Sequence, residues 1–332
     1  MTAKKAYKAY RARLYPTADQ AAYFRRMFGC CRVVYNHFLA VRVEAYEARK
    51  SDPTVRVPSR FDLCRMLTDY KRERTDATGH AFLRDVDSTA LVYEVQHLDD
   101  AFLRFFRRVR EGGSDVGFPR FKGRGDKASA TVAFKKAKDV RPNGVRFAKV
   151  GWVKARVWRE LEGDPLSCTI SLDAAGRWWA SVSCKNVPQQ WPEPVCEEGA
   201  VDLTALDDAA CVSGGADAGS ADAVADARRA KERKRKKLAR ERRRLARRQA
   251  PGPNKKASAG WLEQYERVAK LEAAAADARR TRAGQLTAPV VRTCARVVAE
   301  GAGDDLTPEG REVLRQLRYK CAWADRELIE EQ

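Results

Sequence analysis

An α/β protein of more than one domain is the fold class this sequence predicts, on three observations. Apolar residues recur at helical spacing through roughly the first third of the chain. Short, alternating, turn-rich segments follow from residue 114. A run dominated by Lys and Arg then separates two further strand-like stretches. At 332 residues and 44% hydrophobic content, the chain is long and apolar enough for two or three domains with a substantial core.

Lys5 to Leu14 alternates like a short strand, and Tyr15-Pro16-Thr17 turns the chain. Thr17 with Gln20 forms a capping box, so a helix starts there. Ala21, Phe24, Met27 and Phe28 give its apolar face; Gly29 is expected to break it before a second helix bearing Val33, Val34, Phe38 and Leu39. Further helices are expected over Arg60 to Tyr70 and Ser88 to Glu111, the latter with Leu91, Val95, Leu98, Phe102, Phe105 and Phe106 in one stripe.

Gly112-Gly113-Ser114 ends the helical region. Strands are expected at Thr131 to Phe134, Val145 to Phe147 and Ala155 to Trp158, with Cys168 to Leu172 and Trp178 to Cys184 paired across a turn. Five such strands suggest a small barrel. Phe118 and Phe121 pack under a loop whose Arg120, Lys122 and Arg124 are candidate phosphate contacts. After a proline-marked linker, Ala200 to Leu203 and Ala209 to Val212 form another hairpin, and 214–227 reads as a loop. The basic helix then meets a second helix, Trp261 to about Gln285, through Leu238 and Leu245.

That basic run sets the partner class. Fourteen of the 21 residues from Arg228 to Arg248 are Lys or Arg against two acids, within a chain of net charge +20 and pI near 9.7. Charge at this density repels itself unless a polyanion offsets it, which points to nucleic acid. A membrane-surface helix lacks its apolar face, and no uncharged run reaches the roughly 18 residues that would span a bilayer. The nine cysteines include no C-x-x-C pair and the three histidines no H-x-x-x-H pair, so neither zinc nor a disulfide framework is expected. The expected setting is the cytoplasm.

Several segments together resemble the TnpB (OrfB) proteins of insertion sequences, relatives of the type V CRISPR nucleases. They are Lys8-Ala-Tyr-Arg-Ala-Arg-Leu-Tyr-Pro16, Phe28-Gly-Cys-Cys-Arg-Val-Val-Tyr-Asn-His-Phe-Leu39, Gly117-Phe-Pro-Arg-Phe-Lys122, Gly151-Trp-Val-Lys154 and Trp178-Trp-Ala-Ser181. The resemblance implies a first wedge-domain strand at 1–15, a helical recognition region at 16–113, a β-barrel wedge domain at 114–192, and a truncated RuvC-like domain of ribonuclease H type at 193–332, carrying a basic helical hairpin at 226–286. It also implies a guide RNA and a double-stranded DNA target as partners, with Arg120, Lys122, Arg124, Lys135, Lys136, Lys154, Lys231, Lys234, Lys237, Arg240 and Arg244 as candidate nucleic-acid contacts.

In the family, three motifs supply carboxylates around two divalent ions. Asp202 in Ala200-Val-Asp-Leu-Thr204 matches the first; Glu300 in Arg296-Val-Val-Ala-Glu300 matches the second, although Gly301-Ala-Gly303 follows it here in place of Asp-Leu. Leu314-Arg-Gln-Leu-Arg-Tyr-Lys320 resembles the penultimate helix, and the ending at Glu327-Leu-Ile-Glu-Glu-Gln332 makes a poor buried strand. The family's next strand, its four-cysteine zinc module and its third aspartate are not found, so an Mg site would be incomplete unless Asp207, Asp208, Asp304 or Asp305 substitutes. The expectation is an RNA-guided DNA-binding protein without cleavage, acting as a transcriptional repressor. The alternatives are an active RNA-guided endonuclease with a rearranged third acid, and a decayed fragment that binds nucleic acid nonspecifically.

Overall fold

The computed structural model describes residues 5–112, 117–134, 136–156, 160–188, 191–204, 221–248, 250, 257–303 and 305–331, leaving aside the side chains of 5, 6, 137 and 221–228. The expected strand at Ala209 to Val212 lies outside the described residues. The chain forms two compact units, one spanning Tyr7–Val187 and the other Pro188–Gln332 with the first six residues.

The first unit opens, from Tyr7 on, with β1 (Lys5–Tyr15), followed by α1 (Ala18–Ser51), α2 (Arg60–Glu73) and α3 (Ser88–Arg110). Six strands complete it: β2 (Ala128–Ala133), β3 (Val140–Arg141), β4 (Gly144–Phe147), β5 (Gly151–Arg156), β6 (Asp164–Leu172) and β7 (Trp178–Pro188). They make one seven-stranded sheet in the order β2-β6-β7-β1-β5-β4-β3, so the three helices are inserted in sequence between strands of one sheet. The sheet has seven strands where five were expected, with β1 at the centre of the order. The strand expected at Ala155 to Trp158 starts earlier, at Gly151, where a positive φ of 75° suits glycine.

Helix α1 is a single element through Gly29, which corrects the expected break. Glycine in a helix interior costs about 1 kcal/mol relative to alanine. Burial of Phe24, Met27, Phe28, Cys30, Cys31 and Val34 on either side of it outweighs that cost. Thr17 caps the helix through the expected box, its Oγ1 accepting from the Gln20 N–H at 3.3 Å while Gln20 Oε1 accepts from the Thr17 N–H at 3.1 Å. Phe24 seats α1 on the sheet, with ring centroids 5.4 Å from Phe147 and 5.7 Å from Trp178. Leu91, Val95, Leu98 and Phe102 of α3 are buried as the stripe predicts.

The second unit holds β8 (Cys196–Asp202), α4 (Ala221–Ala246), α5 (Ala259–Thr293), β9 (Cys294–Glu300), α6 (Pro308–Ala324) and β10 (Glu327–Glu330). The strands form a parallel sheet ordered β10-β9-β8. Val297 and Ala299 of β9, with Leu203 just past β8, are buried against Val291 of α5 and Val313, Leu314 and Leu317 of α6. Three expectations change here. Helix α4 begins at Ala221, inside the segment read as a loop. Helix α5 runs on to Thr293 through Pro289, with the Thr293 hydroxyl donating to the Pro289 carbonyl at 3.1 Å. The charged ending does form a strand, because Leu328 packs on the core while Glu330 is bound by Arg318 of α6 at 2.6 Å.

Candidate nucleic-acid interface and acid pair

Helices α4 and α5 pack together as the sequence reading expects. Leu238 and Leu245 are half-buried, and Val268 and Ala269 are buried opposite. The pairing also buries Glu241, whose Oε2 accepts from Gln264 Nε2 at 2.9 Å. That hydrogen bond, helped by the Arg244 and Arg240 guanidiniums, holds the Glu241 carboxyl below its ordinary range. Away from α5, Lys236, Arg240, Arg243, Arg244 and Arg247 line one shallow groove. Their spacing of four, three, one and three residues keeps all five on one helical face.

Lys234, Lys237, Arg240 and Arg244 are exposed on α4 and Lys231 is half-buried. The groove also takes in Lys236, Arg243 and Arg247, which the sequence reading did not single out and which come together only when the face turned toward α5 is known. Of the other candidates, Lys136, Lys154 and Arg124 are exposed, Arg120 is exposed and bound to Asp126 at 3.1 Å, and Lys135 lies outside the described residues. Lys122 is engaged within its own unit: its ammonium lies over the Tyr35 ring, 4.0 Å from the centroid, and binds the carboxylate of Glu94, which is 2% exposed. Its backbone is clamped as well, the N–H donating to Asn36 Oδ1 at 2.8 Å. A buried carboxylate without a counter-ion is costly, so this lysine has a structural task within the first unit. Phe118 stacks edge-on against Phe102 and Phe105, as expected, yet stays 46% exposed.

A second cationic surface was not anticipated. Alternation along β1 turns Tyr10, Ala12 and Leu14 inward and leaves Tyr7, Arg11 and Tyr15 exposed. Arg11 lies over the Trp179 ring of β7 at 3.9 Å and Arg13 over the same ring at 5.2 Å. On the other side of β1, the register places Arg13 beside Arg156 and Tyr15 beside Lys154. Trp152, opposite Arg146, carries the Arg141 guanidinium at 4.2 Å. Cations laid on aromatic faces form an interleaved surface suited to both phosphates and bases. The signal was present in the sequence as the period-two spacing of Tyr7, Arg11, Arg13 and Tyr15.

In the second unit, the parallel register makes Asp202 the direct partner of Glu300. Their neighbours Val201, Leu203 and Ala299 face the core, so both acids stand on the opposite face and are exposed. The Leu203 N–H donates to the Glu300 carbonyl at 2.9 Å, and Asp202 Oδ1 accepts from the N–H and hydroxyl of Thr204 at 2.8 and 2.7 Å. Gly301 turns the chain at φ 72°, and a Cβ there would lie 2.4 Å from Thr204 Cγ2, so glycine suits this turn directly after Glu300. Glu331 comes just past β10, its N–H bonded to the Ala299 carbonyl at 3.0 Å. Among the described residues, no three His, Cys, Asp or Glu side chains are placed to hold a metal ion. Of the substitutes considered, Asp305 is exposed, and Asp207, Asp208 and Asp304 lie outside the described residues.

Such a molecule is a mixed α/β protein whose first unit is a helix-bearing antiparallel sheet and whose second carries an acid pair on a parallel sheet and a cationic helical arm. Residues 1–51 match the helix-turn-helix domain of OrfB proteins (HTH_OrfB_IS605), although here Ala18–Ser51 form a single helix. Over 339 residues the chain is 30% identical to a Streptomyces pristinaespiralis protein named as an RNA-guided DNA endonuclease, covering 97% of this chain and 76% of the relative. It is 25% identical over 352 residues to the Escherichia coli K12 protein named as the RNA-guided DNA endonuclease InsQ, covering 96% and 79%. The chain belongs to the TnpB/OrfB family. No described helix is long and apolar enough to cross a membrane.

Proposed function

We propose that this chain is an RNA-guided DNA-binding protein that holds its target without cutting it and represses transcription where it sits. Guide RNA and double-stranded DNA are the partners, with base pairing supplying sequence specificity and the protein gripping backbone and duplex shape. The observation carrying this reading is the contrast between two extensive cationic surfaces and an acid pair that gathers no third ligand among the described residues. Two Mg²⁺ ions bring a combined charge of +4 and demand several oxygen ligands, while one oxygen of Asp202 already serves Thr204. The described side chains therefore do not fit a two-ion site.

The test is purification with co-expressed RNA, sequencing of that RNA, and incubation with a matched DNA duplex and Mg²⁺. Stable binding with intact DNA is expected. Cleavage that disappears in Asp202→Ala would overturn the reading in favour of the endonuclease. That second reading is favoured by one observation, the placement of Glu331 beside the acid pair at one end of the sheet.

A further inference from the structure

We infer that Cys196 and Cys294 form a reversible disulfide, a modification site joining the first residues of β8 and β9. The two are direct partners in the parallel register, and their sulfurs are 2.6 Å apart. The surroundings hold them there. Cys294 is 5% exposed, and a Cβ on Gly199 would lie 2.6 Å from its Sγ, so glycine at 199 is what leaves that sulfur room beside β8. The Thr293 hydroxyl lies 3.4 Å away on another side.

Access selects the same pair. Cys196 is the exposed cysteine among those described; Cys30, Cys31, Cys168, Cys184, Cys294 and Cys321 are buried and Cys64 is half-buried. Burial pushes the Cys30 thiol up to about 11 and the Cys168 thiol up to about 12, which keeps both unreactive. An oxidant from solvent thus meets Cys196 first, and the nearest nucleophile to what it forms is Cys294.

The oxidant is hydrogen peroxide. The Cys196 thiolate attacks one peroxide oxygen, the O–O bond breaks, and hydroxide leaves and is protonated to water, giving a sulfenic acid. The Cys294 sulfur then attacks the sulfenic sulfur, the S–O bond breaks, and the departing hydroxide takes the Cys294 proton as a second water. Two thiols are oxidised and one peroxide is reduced. The hydrogen bond shared with Cys294 holds the Cys196 thiol above its ordinary range, so the thiolate is scarce and the bond forms slowly at neutral pH.

The position gives the bond a role. Cys294 is where α5 passes into β9, its N–H still bonded to the Val290 carbonyl. A link to Cys196 closes a loop containing all of α4 and α5 and fixes the root of the basic arm to the strand that carries Asp202.

The test uses the full chain, reduced and then exposed to hydrogen peroxide, with remaining thiols alkylated before digestion and mass spectrometry. A peptide joining Cys196 to Cys294, about 2 Da lighter than its two parts and released by dithiothreitol, is expected. Cys196→Ser, a change at an exposed position, should abolish it. Recovery of Cys196 as sulfinic or sulfonic acid without the linked peptide, or joined to Cys211 or to a second chain, would overturn the inference.

Discussion

The two cationic regions carry charge of one sign by different means. On the sheet of the first unit, guanidiniums lie on aromatic rings, Arg11 on Trp179 and Arg141 on Trp152. On α4 the cations of the groove stand around Ala239, with no ring in the lining. A cation on an indole keeps its charge and gains a flat partner on which a base can stack, so the sheet contributes contact energy that salt screens weakly. The groove on α4 acts through charge alone, and counterion release makes such binding steeply salt-dependent. Within the first unit, Lys122 shows a third use of a cation, spent internally on a buried acid.

The largest effect expected from this contrast comes from reversing Lys236, Arg240 and Arg243 to Glu. Nucleic-acid affinity at low salt should fall by roughly a thousandfold, and the slope of log affinity against log salt should flatten by about one unit per lost phosphate contact. Filter binding across a salt series measures both; an unchanged slope would make the arm a solvated surface.

Next in size is Lys122→Met, expected to cost about 3 kcal/mol in denaturant unfolding, because Glu94 is left charged and buried. Glu94 also gives this contribution a pH dependence. Burial pushes its carboxyl up, but hydrogen bonds from His97 and the Lys122 ammonium outweigh that and leave it below its ordinary range. Its contribution is therefore present above the unfolded carboxylate value of about 4.3 and lost as pH falls through the lower folded value. In Lys122→Met, acid unfolding should move to higher pH, as circular dichroism across a pH series would record; coincident acid transitions would return Lys122 to the interface.

Trp179→Ala should weaken nucleic-acid binding by about 2 kcal/mol while leaving the salt slope in place. A flattened slope with little loss of affinity would erase the distinction between the two surfaces. The smallest effect belongs to Gly29→Ala, where nothing lies within 4 Å of the position a Cβ would take and the helix runs straight on. A gain of about 0.7 kcal/mol in unfolding free energy is expected, whereas a loss would restore the broken helix the sequence suggests.

Elements specified by local pattern were legible in the sequence. The capping box at Thr17, the apolar stripe from Leu91 to Phe102 and the association of the basic helix with its neighbour all follow from spacings of three and four residues. Gly29 misled because its small backbone cost is decided by burial on both sides, which spacing cannot weigh. The strand at Glu327–Glu330 was missed because four residues give too short an alternation, and its pairing with β9 is a long-range matter. For the same reason Asp202 and Glu300 could be proposed singly, but their register could not; it is set by two parallel strands with the entire arm between them in sequence. The ion pair of Lys122 was not legible because its buried partner, Glu94, sits on a helix remote in sequence.

Because α5 is buried in the core of the second unit through Ala283 and Val291, while its earlier turns around Val268 and Ala269 pack with α4, the far part of the arm is an extension of that core. Removing matched whole turns from both helices would shorten its reach along a bound polymer while β8 and β9 stay side by side. Arm length and acid spacing can thus drift independently among descendants of one ancestral gene.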